Sequence, residues 1–189
     1  MTLYSLVLFA HIVAVLVLFT ALSFEALTLS HVRRASTLAE TRRWIDPIPR
    51  FPVTIVGSVL VVFSSGAYMA MRMEAGALAW PRVAVMAMLL ILPLGAVTAR
   101  RMRAIRHICA SGTVSQSELM GRLQDPFLTI SLGIRISVVL GIVLLMTAKP
   151  ELWEALAIVG ASALIGLATA ALVPRRGAGL STADRDPRN

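Results

Sequence analysis

The sequence predicts an all-α fold, a polytopic membrane helix bundle of about five transmembrane helices in which a four-helix unit carries a fifth. Three observations predict it. Hydrophobic residues make up 57% of the chain, and the mean hydropathy is +0.79, whereas a soluble domain is roughly 45–50% apolar. The apolar residues gather into five runs of the length a helix needs to cross a bilayer core, about 20 residues for roughly 30 Å. The connections between these runs are alternately rich and poor in arginine, as the positive-inside rule requires.

The first run, Leu3–Ser30, lacks a basic leading segment and is too long for the apolar part of a signal peptide, so it is expected to remain as a helix. The second is Pro52–Arg72, approached through Pro47 and Pro49, which stiffen the chain. The third is Ala79–Ala99; Pro81 sits in its first turn, where a missing N–H costs little. Pro93, followed by Gly95, lies inside this run and predicts a kink whose freed carbonyls are satisfied by a neighbouring helix. Beyond Ala99 the helix is expected to continue to His107, and a short helix follows in which Ser115 and Glu118 fit a capping box. The fourth run is Pro126–Thr147, with Pro126 and Pro150 marking its ends, and the fifth is Leu152–Leu172. Residues 1–174 are read as the bundle and 175–189 as a disordered cytoplasmic tail, small and polar in composition.

Charge sets the orientation. Arg33, Arg34, Arg42, Arg43 and Arg50 follow the first span; Arg100, Arg101, Arg103, Arg106 and Arg122 follow the third; Arg175 and Arg176 follow the fifth. The other two connections are short and nearly balanced. Five spans with the amino terminus outside and the carboxyl terminus inside satisfy the rule throughout; the expected location is a bacterial inner membrane. Trp80 and Trp153 then fall at the outer interface and Trp44 near the inner one. The net charge of +8 and pI near 11.4 do not imply nucleic acid as a partner, because the arginines adjoin apolar runs; the expected partner is the lipid bilayer. Lys149 is the only lysine, and arginine in place of lysine fits a GC-rich bacterial genome. A single cysteine, Cys109, excludes an internal disulfide and a multi-cysteine metal site.

Small residues recur in the spans: Gly57, Ser64 and Gly66 in the second, Gly133 and Gly141 in the fourth, and Ala157, Gly160, Ala161, Ser162 and Gly166 in the fifth. They are read first as ordinary close packing within the bundle, and second as a face for a homo-oligomer or another membrane-complex partner.

Ionisable groups inside spans are costly, so each is a functional candidate. His11 is flanked by Ala10, Ile12 and Val13; it either bonds to a neighbouring polar group or ligates haem iron or copper through a ring nitrogen. Glu25, fourteen residues on, returns to nearly the same helix face about 21 Å away and needs a partner or a proton. Arg135, between Ile134 and Ile136, keeps its charge. It is expected to pair with Glu25 and lock the first helix to the fourth, or to hold a propionate or another substrate carboxylate. His31 and His107 read as interfacial residues. Met69, Met71 and Met73 lie at the height of His11 and read as packing more than as soft ligands. No nucleophile–base–orienter set, glycine-rich phosphate loop or paired intramembrane carboxylate is visible, so hydrolysis and phosphoryl transfer are not indicated and enzyme activity is left open.

Phe9-Ala10-His11-Ile12-Val13-Ala14, then Phe24 and His31, resembles the first helix of a loose group of small bacterial membrane proteins. The group includes the copper-resistance D proteins, the HemJ-type haem-dependent protoporphyrinogen oxidases and several families of uncharacterised function. Arg135 through Met146 to Lys149-Pro150, with Gly66-Ala67-Tyr68-Met69 and Trp80, looks most like one of the uncharacterised families. The HemJ resemblance implies that His11 ligates haem b; Arg135 is a further cofactor-binding candidate only by its own charge inside the span. That oxidase also carries an intramembrane lysine and a Pro-Arg pair late in its first helix, where this chain has Ser23-Phe24-Glu25-Ala26-Leu27, and the departure argues against porphyrinogen oxidation. Three functions follow from the sequence: a membrane protein that binds haem or copper through His11; a small transporter or exporter that uses the Pro93 kink and the Glu25/Arg135 pair as gate or relay; or an assembly partner without chemistry of its own.

Overall fold

The computed structural model of the chain describes residues 2–34, 44, 50–72, 78–111, 121 and 125–172. Its five long helices are α1 (Leu3–Arg34), α2 (Arg50–Arg72), α3 (Ala79–Ser111), α4 (Pro126–Ala148) and α5 (Leu152–Leu172). All are long and apolar enough to cross a membrane, as a multi-pass membrane protein requires, and no strand occurs among the described residues. The predicted spans and the helices agree closely. α3 continues past Ala99 into its arginine-bearing end as expected and runs four residues beyond His107, to Ser111, while α1 ends one turn past Ser30, at Arg34. The capping box at Ser115 and Glu118, Met73 and the tail 175–189 lie outside the described residues.

Proline and polar caps set the ends of α4. Asp125 accepts from Phe127 N at 2.9 Å, and Pro126 occupies the first turn without wasting a donor. At the other end Lys149 adopts the left-handed conformation (φ 48°), its N–H bonded to Leu145 O at 2.9 Å, and Pro150 then starts the tight passage into α5.

α4 is the central helix. Half of its apolar span is buried, against 17% for α2 and 11% for α5. It packs along α3 and α5 and meets α1 locally, while α2 packs along α1 and barely touches α3. Large apolar side chains such as Phe9, Leu16, Leu90 and Leu164 cover the outside of the bundle, the surface a hydrocarbon solvent accepts and water does not.

The interior divides into two apolar clusters. One contains Leu18, Leu22, Met88, Ile91, Val138 and Val139; the other, at the arginine-bearing end, contains Leu29, Val32, Met102, Ile105, Leu128 and Leu132. Between them in every helix concerned falls a layer of polar residues: Glu25 and Thr28 in α1, Thr98 in α3, Ser131 and Arg135 in α4. Thr98 Oγ1 and Ser131 Oγ are 2.9 Å apart, and both reach Leu94 O, at 2.9 and 3.2 Å. α3 is one continuous helix through Pro93, and this clamp from α4 supports its backbone one residue further on.

The α4–α5 contact depends on missing side chains. A Cβ on Gly133 would stand 2.5 Å from Gly166 O, and one on Gly166 would stand 2.6 Å from Gly133 O. Gly141 faces Ser162 in the same seam. Gly133, Gly141, Ser162 and Gly166 therefore serve packing inside the bundle, the first of the two roles read from the sequence, whereas Ala157, Gly160 and Ala161 are exposed.

Candidate functional site

The polar layer places an ion pair where two helices cross. Arg135 Nη2 donates to Glu25 Oε2. Arg135 is 5% exposed, and its Nε has no hydrogen-bond partner. A guanidinium in this setting needs a counter-charge, because an unpaired buried charge costs several kcal/mol, by rough order, even after relaxation. Gly95 admits the group: a Cβ there would lie 3.0 Å from Arg135 Nη1 and 3.7 Å from Cδ. Gly95, two residues after Pro93, is thus the flat wall against which the arginine lies. Sequence reasoning saw Gly95 only as a companion of Pro93, and its use depends on a cross-helix contact that spacing along α3 cannot reveal.

The pair forms part of the wall of a cleft of about 900 Å³ that opens where α2 stands away from α3. α1 contributes Leu18, Leu22, Glu25 and Thr28; α4 contributes Arg135 and Val139; α2 supplies an apolar wall from Pro52 to Leu60. On α3 the lining changes from Met88, Ile91 and Leu92 through Gly95 to Arg100, Arg103 and Arg106. Four arginines, one carboxylate and the Thr28 hydroxyl line a space whose other walls are apolar, so its field favours an anion.

His11 lies elsewhere. Its Nδ1 is 2.8 Å from Ser65 Oγ, and the ring rests on Gly66, where a Cβ would meet Cε1 at 3.6 Å. Ser65 spends its one hydroxyl proton on Val61 O. The serine oxygen must therefore accept from His11, which puts the proton of the neutral ring on Nδ1 and the lone pair on Nε2. Nε2 is buried without a partner. Ser65 was missed in the sequence, although the run Ser64-Ser65-Gly66 inside an apolar span was the available signal.

A metal-binding histidine has this arrangement, with one nitrogen oriented by an outer partner and the other left open. A copper ion would need further ligands beside His11. Among the described residues no group of three or more His, Cys, Asp or Glu could hold a metal ion, and Met71 is 80% exposed. Haem iron asks only for an axial nitrogen from the protein, and the donor chemistry of His11 fits that role.

The structure brings Glu25 and Arg135 together but not His11 and Arg135. Fourteen residues at 100° each fall 40° short of whole turns, and α1 has α2 on one side and α4 on another, so the shared stripe is divided between two neighbours. His11 turns to α2, Glu25 turns to α4, and His11 is not among the residues lining the cleft. His31 stacks on Trp44, with ring centroids 4.1 Å apart. At the same end of the bundle Arg101 pairs with Asp125, and Arg33 Nη2 donates to Asp125 O at 2.9 Å, joining α1 and α3 to the start of α4.

No family model, curated protein or solved structure matches the chain.

Proposed function

We propose that this chain is a small bacterial inner-membrane transporter or carrier for an anion, working at the cleft, with Arg135 as the anion contact and Glu25 as the group the ligand displaces. One observation carries the reading: a buried arginine, paired with a single carboxylate, lines a cleft that holds three further arginines. In this reading the arginine-bearing end is cytoplasmic and the amino terminus is outside, as arginine sorting suggests.

The exchange has a definite charge balance. At rest Arg135 and Glu25 neutralise each other. An incoming anion that takes the Arg135 N–H donors leaves two negative charges on one guanidinium in an apolar setting, which is costly. Protonation of Glu25 restores neutrality, so one proton enters the site with each negative charge. The test is anion flux in proteoliposomes at two external pH values. Wild type is expected to speed up at the lower pH and Glu25→Gln, whose neutral amide mimics the protonated acid, to lose that dependence. Flux that is absent, or equally pH-dependent in both proteins, would sink the reading.

A second reading rests on the partnerless Nε2 of His11: His11 would hold haem b through that nitrogen, with Ser65 orienting the ring. Haem, when bound, would supply redox chemistry. A Soret band in the purified protein that vanishes in His11→Ala supports this reading, and a colourless protein after haem supplementation overturns it.

A further inference from the structure

The lining of the cleft changes along its length in a way that specifies its ligand more closely than charge alone. Arg100, Arg103 and Arg106 stand at one end, exposed or half-buried, and among the described residues none of them forms an ion pair. Met88 lies at the other end, twelve residues from Arg100 along α3, or about 18 Å at helical rise. The stretch between them is apolar except for Thr28 and the pair Arg135 and Glu25, which sits at the level of Gly95, about 7 Å inward from Arg100. The half-thickness of a bilayer's hydrocarbon core is about 15 Å. The cleft therefore has a cationic end, an apolar length of one leaflet, and a side open toward the surrounding lipid between α2 and α3. A small water-soluble anion needs the cationic end and has no use for the apolar length.

We infer that the cleft seats an anionic phospholipid drawn from the leaflet, its phosphate on Arg100, Arg103 and Arg106 and one acyl chain between α2 and α3. This deepens the anion-carrier reading and rests on it. Charge complementarity selects the anionic headgroup: each arginine near a membrane surface favours an acidic lipid, and the guanidinium fork matches phosphate oxygens. Arg135 is the next cationic position along the path, and Glu25 must release it before a headgroup can move inward.

The experiment uses full-length protein in nanodiscs that contain a trace of phospholipid with a photoactivatable diazirine on the acyl chain, headed either by glycerol phosphate (phosphatidylglycerol) or by zwitterionic choline phosphate. Labelled peptides are mapped by mass spectrometry. Phosphatidylglycerol is expected to label Val53–Leu60 of α2 and Ile91–Ala99 of α3 several-fold more than the choline lipid does. The outer face of α5, around Leu164, should show no such preference. Arg100→Gln/Arg103→Gln/Arg106→Gln should abolish the preference at the cleft and leave the α5 labelling unchanged, which also reports that the bundle is intact. Equal labelling by the two lipids, or a preference untouched by the triple substitution, would overturn the inference. A parallel arm adds inorganic phosphate at millimolar concentration and follows protection of an Arg135-containing peptide from dicarbonyl modification. Phosphate protection without lipid preference defeats the lipid assignment and leaves the anion-carrier reading standing; loss of both signals defeats the two together.

Discussion

α2 and α5 are both outer helices, and the protein holds them in opposite ways. α5 is fastened to α4 backbone against backbone, with Gly133 against Gly166 and Gly141 against Ser162. α2 lies along α1 but stands off α3, and the space left over is the cleft. Both helices are apolar, so burial of apolar surface does not distinguish them; in lipid, hydrocarbon against hydrocarbon offers little driving force for association. The difference lies in where glycine is placed. On α5 it removes side chains at a helix crossing. Gly57 of α2 lines the cleft, and a Cβ there would meet nothing within 4 Å. The same residue type closes one seam and leaves the other open, and the charged groups cluster at the open one.

The largest effect is expected from breaking the closed seam. Gly166→Val puts a branched side chain where even a Cβ would fall 2.6 Å from Gly133 O and 2.7 Å from Ile134 Cα. Backbone cannot yield as a flexible side chain does, so α4 and α5 must separate. Overpacking of this kind costs about 1–3 kcal/mol where neighbours adapt and more where they cannot. Thermal unfolding in detergent, followed by size-exclusion, should show loss of the monodisperse species. Gly57→Val is the matched control and should stay within about 0.5 kcal/mol of wild type. Equal damage from both would mean that the two seams do not differ as described.

The ion pair between the two regions comes next. Glu25→Ala leaves Arg135 buried without a counter-charge, a loss of about 3–5 kcal/mol. Glu25→Leu/Arg135→Met removes both charges and should recover more than half of that stability while abolishing transport. A double variant as unstable as the single one would show that the two residues act separately. Gly95→Ala is milder. The new methyl would stand 3.0 Å from Arg135 Nη1, so the guanidinium must give way while keeping hold of Glu25, at about 2 kcal/mol. In the flux assay it should change the rate without removing the pH dependence, since Glu25 is intact.

Periodicity and charge made the architecture legible. Five apolar runs bounded by Pro52, Pro81, Pro126 and Pro150 became five helices, because hydrocarbon length and proline placement are local constraints that a single strand of sequence carries in full. The pairing of Glu25 with Arg135 was legible for a related reason: two opposite charges in apolar spans have few other ways to be satisfied. Three features were not. Gly95 as the seat of Arg135, Ser65 as the acceptor for His11, and the gap between α2 and α3 each depend on which helix faces which, and rotation about the helix axes is set by tertiary packing. His11 and Glu25 share nearly one face of α1, yet they meet different helices for that reason. The angle was nearly right, but α1 has a different neighbour at each depth.

The smallest effect tests what holds α2 in place. His11 Nδ1 to Ser65 Oγ, at 2.8 Å, is a buried hydrogen bond between α1 and α2. Ser65→Ala should cost about 1 kcal/mol, the net worth of one such bond. The loss stays near that figure because a neutral imidazole can rotate or exchange tautomers and avoid stranding an N–H. Ser65→Thr restores the oxygen and should return most of the loss, which separates the bond from mere volume. The decisive measurement is a double-mutant cycle with His11→Phe. A coupling near 1 kcal/mol means the bond is a real tie on α2, the helix whose position sets the width of the cleft, so Ser65→Ala should also loosen lipid selectivity there. Zero coupling means that this bond does not hold α2 on α1, and that the orientation of His11 serves its own nitrogen chemistry and not the packing of the bundle.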